Sequence, residues 1–276
     1  KMFDEKKLEF EKQGLIPGEE ILAGYRKENS LWYYGIKKHR DFFNKRQLLF
    51  LITVVKNIQL VLKNIDDTKY ASALSCYLSF FLCRAVNHNS LGTVWDSTTD
   101  SAKQTLEFKQ MQFVPMHPEI NPFAKQGPTL ENMKKTIKTS LQFCVMKSKK
   151  ITRIENKSVL VSEEEKNYDI ILTDPPYSSD VQYGEQSEFF YVWVYRVLKN
   201  YFPELPKRSP LDDDFCTSWG RFGDKKLAND FFKKGLESSF LKINSKLKDD
   251  GLFIVFFAHS STDAWNTFLQ SIRYGK

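Results

Sequence analysis

The sequence predicts an α/β fold in which parallel βα units follow a helical N-terminal layer. Three observations predict it. Apolar residues fill two long helical stretches between residues 44 and 86. A short β-rich run, Tyr168 to Thr173, ends directly at a proline-containing loop. The order helix, helix, strand, helix then follows, and strands that alternate with helices are joined by crossovers and so lie parallel.

The elements are justified in chain order. Residues 1–13 read as a charged lead-in, and Gly14 to Gly18 as a loop. Asn44 with Gln47 three residues on makes a capping box, and the helix it opens carries Leu48, Leu49, Leu51, Ile52, Val55, Ile58, Val61 and Leu62. These fall on more than one face, so the helix is expected to be well buried. Asp66 and Asp67 start a second helix, roughly Thr68 to Val86, which completes a helical hairpin. From Asn87 to about Lys125 polar, aromatic and proline residues predict a long irregular connection. Another helix is expected over Leu130 to Val145. After the β-run, helices are predicted over Glu188 to Tyr201 and Leu227 to Leu247. A turn at Lys248 to Gly251 then leads to a buried strand, Leu252 to Phe257, and Ser261-Thr262-Asp263 caps a final helix.

Composition narrows the classes of function. The 276 residues are 41% apolar and 27% charged, which suits a globular protein with a substantial core. No apolar run approaches the ~20 residues that span a membrane, and the charged N-terminus has no signal-peptide core. No membrane partner is therefore expected, and the expected compartment is cytoplasmic. The four cysteines form no CxxC pair and have no histidine at zinc spacing, so reduced thiols and no metal are expected. The net charge of +7 suits a polyanionic partner. Lys37, Lys38, His39 and Arg40 form the sharpest basic cluster, either a solvated face or a phosphate contact.

The loop after the β-run carries the chemistry. In an open parallel sheet ligands gather at the carboxyl ends of strands, where Asp174-Pro175-Pro176-Tyr177 sits. The exocyclic amine of a nucleic-acid base is a poor nucleophile, because its lone pair is delocalised into the ring. The Asp174 carboxylate and the Pro175 carbonyl offer acceptors for its two N–H groups and for the charge that develops during attack. Two prolines stiffen the backbone that presents the carbonyl. Tyr177 offers a flat face for a base. The plain alternative is a tight turn with Tyr177 packed as an ordinary aromatic.

The segment Tyr168 to Tyr177 resembles motif IV of the amino-methyltransferases that act on DNA adenine. Further segments are similar to the DUF1156-containing, adenine-specific DNA methylases: Tyr34-Gly35-Ile36, Asp41 to Leu49, Trp95-Asp96, Asn121-Pro122-Phe123, Tyr183 to Trp193, Phe257 to Ser260, and Ala264-Trp265. They occur in family order from about Leu15 onward. The resemblance implies one methyltransferase catalytic domain over 1–276, with a helical and irregular layer over about 15–150 and a βα catalytic half over about 151–276. It implies a partial Rossmann-like methyltransferase sheet and S-adenosyl-L-methionine as cofactor. It also implies DNA as partner, N6 methylation of a flipped adenine, and a setting in genome defence.

Two departures qualify it. The family's glycine-rich cofactor turn has no counterpart here. The nearest candidate, Trp219-Gly220-Arg221-Phe222-Gly223-Asp224, follows no β-run and reads as a surface loop. The family's closing strand pair is also lacking. The chain therefore resembles a C-terminal half, with most of the cofactor surface expected from a missing N-terminal half or a second polypeptide. This chain is expected to add only residues near Asp174 and between Ser158 and Tyr168. Glu185, Ser187 and Glu188 follow the loop closely enough to line a base pocket, although acidic residues also suit any helix start. His259 ends the second strand and is a candidate substrate contact or a structural histidine. Two other functions stay open: methylation of an RNA base amine, and a non-catalytic subunit that relies on another chain for cofactor.

Overall fold

The computed structural model of the chain describes residues 1–21, 31–107, 111–145, 153–161, 168–179 and 181–275. They fall into two units. The first comprises the described residues of 1–145 together with 184–209, and the second those of 153–183 together with 210–275.

The first unit is helical. The capping box forms as the sequence predicts: the Asn44 side chain accepts the Arg46 and Gln47 N–H groups at 2.9 and 3.0 Å, and Gln47 accepts the Asn44 N–H. It opens α2, Lys45–Lys63, which buries Leu48, Leu51, Ile52, Val55, Ile58 and Leu62. Asp67 caps α3, Thr68–Asn87, whose buried face is small at Ala71, Ser75 and Ser79 before it widens to Leu82 and Val86. The expected hairpin is present. The stretch after α3 is irregular apart from a two-residue antiparallel pair, β1 (Trp95–Asp96) with β2 (Ser101–Ala102). Helix α4 spans Leu130–Cys144, close to its predicted limits.

Two expectations are corrected in this unit. The charged lead-in is a helix, α1, Met2–Lys12, whose buried residues are Phe3 and Phe10. Two anchors seven residues apart lie on one face of a helix, but too few apolar positions surround them to show a period. The aromatic helix after the proline loop, α5 (Tyr183–Leu198), starts earlier than predicted, and from Gly184 onward it belongs to this unit rather than to the βα half. The cause is aromatic packing. Phe189 stacks on Phe43 with centroids 5.9 Å apart and meets Phe42 edge-on at 5.7 Å, while Trp193 meets Phe43 edge-on at 5.4 Å. Arg196 on α5 is buried too, donating to the carbonyls of Leu15 and Ile16 and pairing with Glu19.

The basic cluster divides. Arg40 pairs with Glu11 and Asp41, and Lys37 lies over the Trp32 ring. His39 is buried, with neither ring nitrogen hydrogen-bonded among the described residues. Burial, and the nearby charges of Arg208 and Arg196, push its pKa down to about 3. Between that value and the ordinary 6.5 the unfolded chain binds a proton that the folded chain rejects. Stability is therefore expected to fall as pH drops through this window, by about 1.4 kcal/mol per pH unit at most. Chemical denaturation across the range checks this, and His39→Phe is expected to flatten the slope.

The second unit holds the parallel sheet. Strand β3, Tyr168–Thr173, pairs in parallel with β4, Leu247–Val255, in the register Ile170 to Leu252 and Thr173 to Val255. The turn predicted at Lys248 to Gly251 lies inside β4, as an irregularity between the pairs Tyr168–Leu247 and Ile170–Leu252. Helices α7 (Lys225–Lys246) and α8 (Thr262–Tyr274) cover one face, where Ile171, Phe253, Val255 and Phe257 pack against Phe232, Leu236, Phe240, Ile243 and Phe268. The opposite face is open: Ile170, Leu172 and Leu252 are 59%, 60% and 55% exposed. Among the described residues no helix is long and apolar enough to cross a membrane.

Candidate active site

Parallel pairing brings two strand ends together. Thr173 closes β3, and its carbonyl accepts the Phe256 N–H at 2.9 Å. Connections 174–182 and 256–261 therefore leave from the same edge of the sheet. Strand carbonyls and loop backbones converge there, and such edges gather ligands. Asp174-Pro175-Pro176-Tyr177 begins the first connection, where the sequence predicted it.

The geometry within the loop is specific. The Tyr177 hydroxyl donates to Asp174 Oδ1 at 2.5 Å. That bond, foremost among its surroundings, raises the phenol above its ordinary pKa. The Tyr177 ring meets Phe257 edge-on, with centroids 5.6 Å apart. Phe257 in turn stacks on Phe268 at 4.1 Å and meets Trp265 at 5.1 Å. The aromatic residue of one connection is thus held by the other. Asp174 itself is exposed. An ionised carboxylate has about four acceptor positions, so one bond to Tyr177 leaves capacity for an incoming N–H donor.

No family model, curated protein or solved structure matches this chain.

His259 lies in the second connection. Its Nδ1 accepts the Ser261 N–H at 2.9 Å, and its carbonyl accepts the Trp265 indole N–H at 3.0 Å. In the neutral ring this places the proton on Nε2. The histidine shapes the turn into α8.

Glu185, Ser187 and Glu188 belong to the first unit, and the proline loop to the second. Glu185 is buried near the start of α5. Ser187 donates to the Gly184 carbonyl at 2.9 Å. Glu188 is buried and engaged: its carboxylate accepts from Arg208 Nε at 2.7 Å and from the Ser209 N–H at 2.6 Å. Both bonds lie within its own unit.

Neither connection at the strand ends, 174–182 or 256–261, contains a glycine. The Trp219 to Asp224 segment is no loop, contrary to its sequence reading. It forms a short helix, α6 (Trp219–Phe222), ended by Gly223 at φ +65, where the lack of a Cβ removes the penalty of a left-handed residue. Of the expected contribution between Ser158 and Tyr168, residues 162–167 lie outside the described residues. Among the described residues no glycine-rich turn leads from a strand into a helix.

The sequence reading missed the surroundings of the loop, above all Gln182, Thr217 and Arg221. A signal existed in the opposite charges of Asp214 and Arg221 in a stretch without helical period. Such a pair has no fixed spacing, so nothing local marks it.

Proposed function

We propose that this chain is the catalytic-loop part of an S-adenosylmethionine-dependent DNA methyltransferase, acting on the N6 amine of a flipped adenine. The observation that carries the reading is the Asp174–Tyr177 loop at the carboxyl end of a parallel strand, its carboxylate and aromatic ring adjoining.

In this proposal Asp174 and the Pro175 carbonyl accept the two amine N–H groups. The nitrogen lone pair is thereby drawn out of the ring plane, and positive charge on nitrogen is offset as it develops. Tyr177 stacks on the base, and Phe257 fixes the angle of its ring. The methyl donor is bound by residues outside those described, on a second polypeptide or another part of the enzyme. The open apolar face of β3 and β4 suits a Rossmann-like layering with helices on both faces, since parallel strands are normally covered on both faces. The basic balance of the chain supports DNA as partner.

The test is transfer of a labelled methyl group to duplex DNA by the protein isolated with its native companions, with the product nucleoside identified by mass. N6-methyladenine is expected. Label appearing only in RNA moves the substrate to an RNA amine. Absence of transfer to either, with cofactor bound, sinks the assignment.

A further inference from the structure

The residue after the catalytic loop is held from a distance. Ser178 has φ +56, a left-handed conformation that costs a non-glycine residue about 1–2 kcal/mol. It persists because the segment 214–218 grips it. The Thr217 N–H donates to the Ser178 carbonyl at 3.0 Å, and the two hydroxyls lie 3.2 Å apart. Gln182 Nε2 ties the same turn together, donating to the Ser179 carbonyl at 3.1 Å.

Segment 214–218 is in turn organised by one buried cation. Arg221 Nη1 donates to the carbonyls of Leu211 and Asp214 at 2.6 and 2.9 Å, and Nη2 meets the Asp214 carboxylate. The Cys216 thiol donates to that carboxylate at 3.2 Å. The Arg221 side chain is 8% exposed and Cys216 fully buried. A planar guanidinium serves several acceptors in fixed directions, which a lysine ammonium does not. Phe215 docks the segment on α7 over Gly235, where a Cβ would lie 2.3 Å from its ring. The chain of contacts is continuous: Arg221 to Asp214, backbone to Thr217, Thr217 to Ser178, and Ser178 adjoins Tyr177.

We propose that Arg221 is a positioning residue for the Asp174–Tyr177 loop, acting through residues 214–217 on Ser178. The loop's task rests on the methyltransferase reading; the mechanical linkage does not. The segment that resembled a failed glycine turn is, on this proposal, the anchor of the catalytic loop.

The test places 3-fluorotyrosine at position 177 and follows its fluorine resonance and titration. The protein is compared with Arg221→Met, Arg221→Lys, Thr217→Val and Thr217→Ser. Unsubstituted at Arg221 and Thr217, the probe is expected to titrate above free 3-fluorotyrosine, because its hydroxyl donates to Asp174. Both Arg221 variants and Thr217→Val are expected to bring the titration toward the free value and shift the resonance. Thr217→Ser is expected to restore both. Variants that only lower the unfolding midpoint, with the resonance and titration of the folded protein unchanged, overturn the proposal. If Arg221→Met does not fold, Arg221→Lys decides on the same readout. In methyl transfer to DNA, Arg221→Lys is expected to lower kcat about tenfold or more at constant KM for DNA, and an unchanged kcat overturns the proposal. A parent protein that shows no transfer with its native companions and bound cofactor sinks the methyltransferase reading and leaves the fluorine result to judge the linkage alone.

Discussion

Asp174→Ala is expected to lower methyl transfer to adenine by about 10²-fold or more while leaving the fold intact. The carboxylate is exposed and is bonded to Tyr177, so its removal uncovers no buried donor. The change in unfolding free energy should stay within about 0.5 kcal/mol, the range of ordinary surface substitutions. Single-turnover transfer and denaturant unfolding together separate the two effects. Tyr177→Phe keeps the stacking face and removes only the hydroxyl, so it should retain most activity. Tyr177→Ala loses the face as well, a loss of about 1–3 kcal/mol per stacked base. Full activity in Asp174→Ala would remove the proposed role of the loop.

The largest effect on stability is expected from Trp193→Ala. Trp193 is fully buried, and its ring packs edge-on against Phe43, which also stacks on Phe189. Truncation leaves a cavity among rigid rings that cannot collapse into it, at a cost of about 3–5 kcal/mol. That is comparable with the whole stability of many domains. The first unit should lose helical circular dichroism at a much lower denaturant concentration. Trp193→Phe provides an internal comparison. The indole N–H has no hydrogen-bond partner among the described residues, so its removal forfeits no bond and the cost should be far smaller. Equal costs for the two variants would mean that this cluster is not where the unit is held.

The sequence revealed what is local and hid what is not. Asn44 and Gln47 announce α2 because each partner is three residues from the other. The end of β3 is legible because the β-rich run stops at a proline pair that cannot continue a ladder. Helix α5 was legible as a helix, but an aromatic face does not state which layer it joins. Its packing on Phe42 and Phe43 links residues far apart in the chain. The site shows the same division. Asp174 and Tyr177 read as a pair because they are neighbours, and the resemblance to a methylase motif rests on them. The supports at Phe257, Thr217 and Arg221 arrive from other elements through irregular segments, where no period betrays a contact.

The division into two units has a consequence for how the molecule is made. The chain enters the first unit, passes to the second through β3, returns to the first for 184–209, and goes back to the second from Pro210. No single cut yields either unit as one unbroken stretch. During synthesis the helical unit must wait for α5, and β3 must wait longer for β4, because Thr173 pairs with Val255. Contacts of such sequence separation form slowly. In the interval β3 is a short apolar strand without its neighbour, the species on which a chaperone or an aggregate would act.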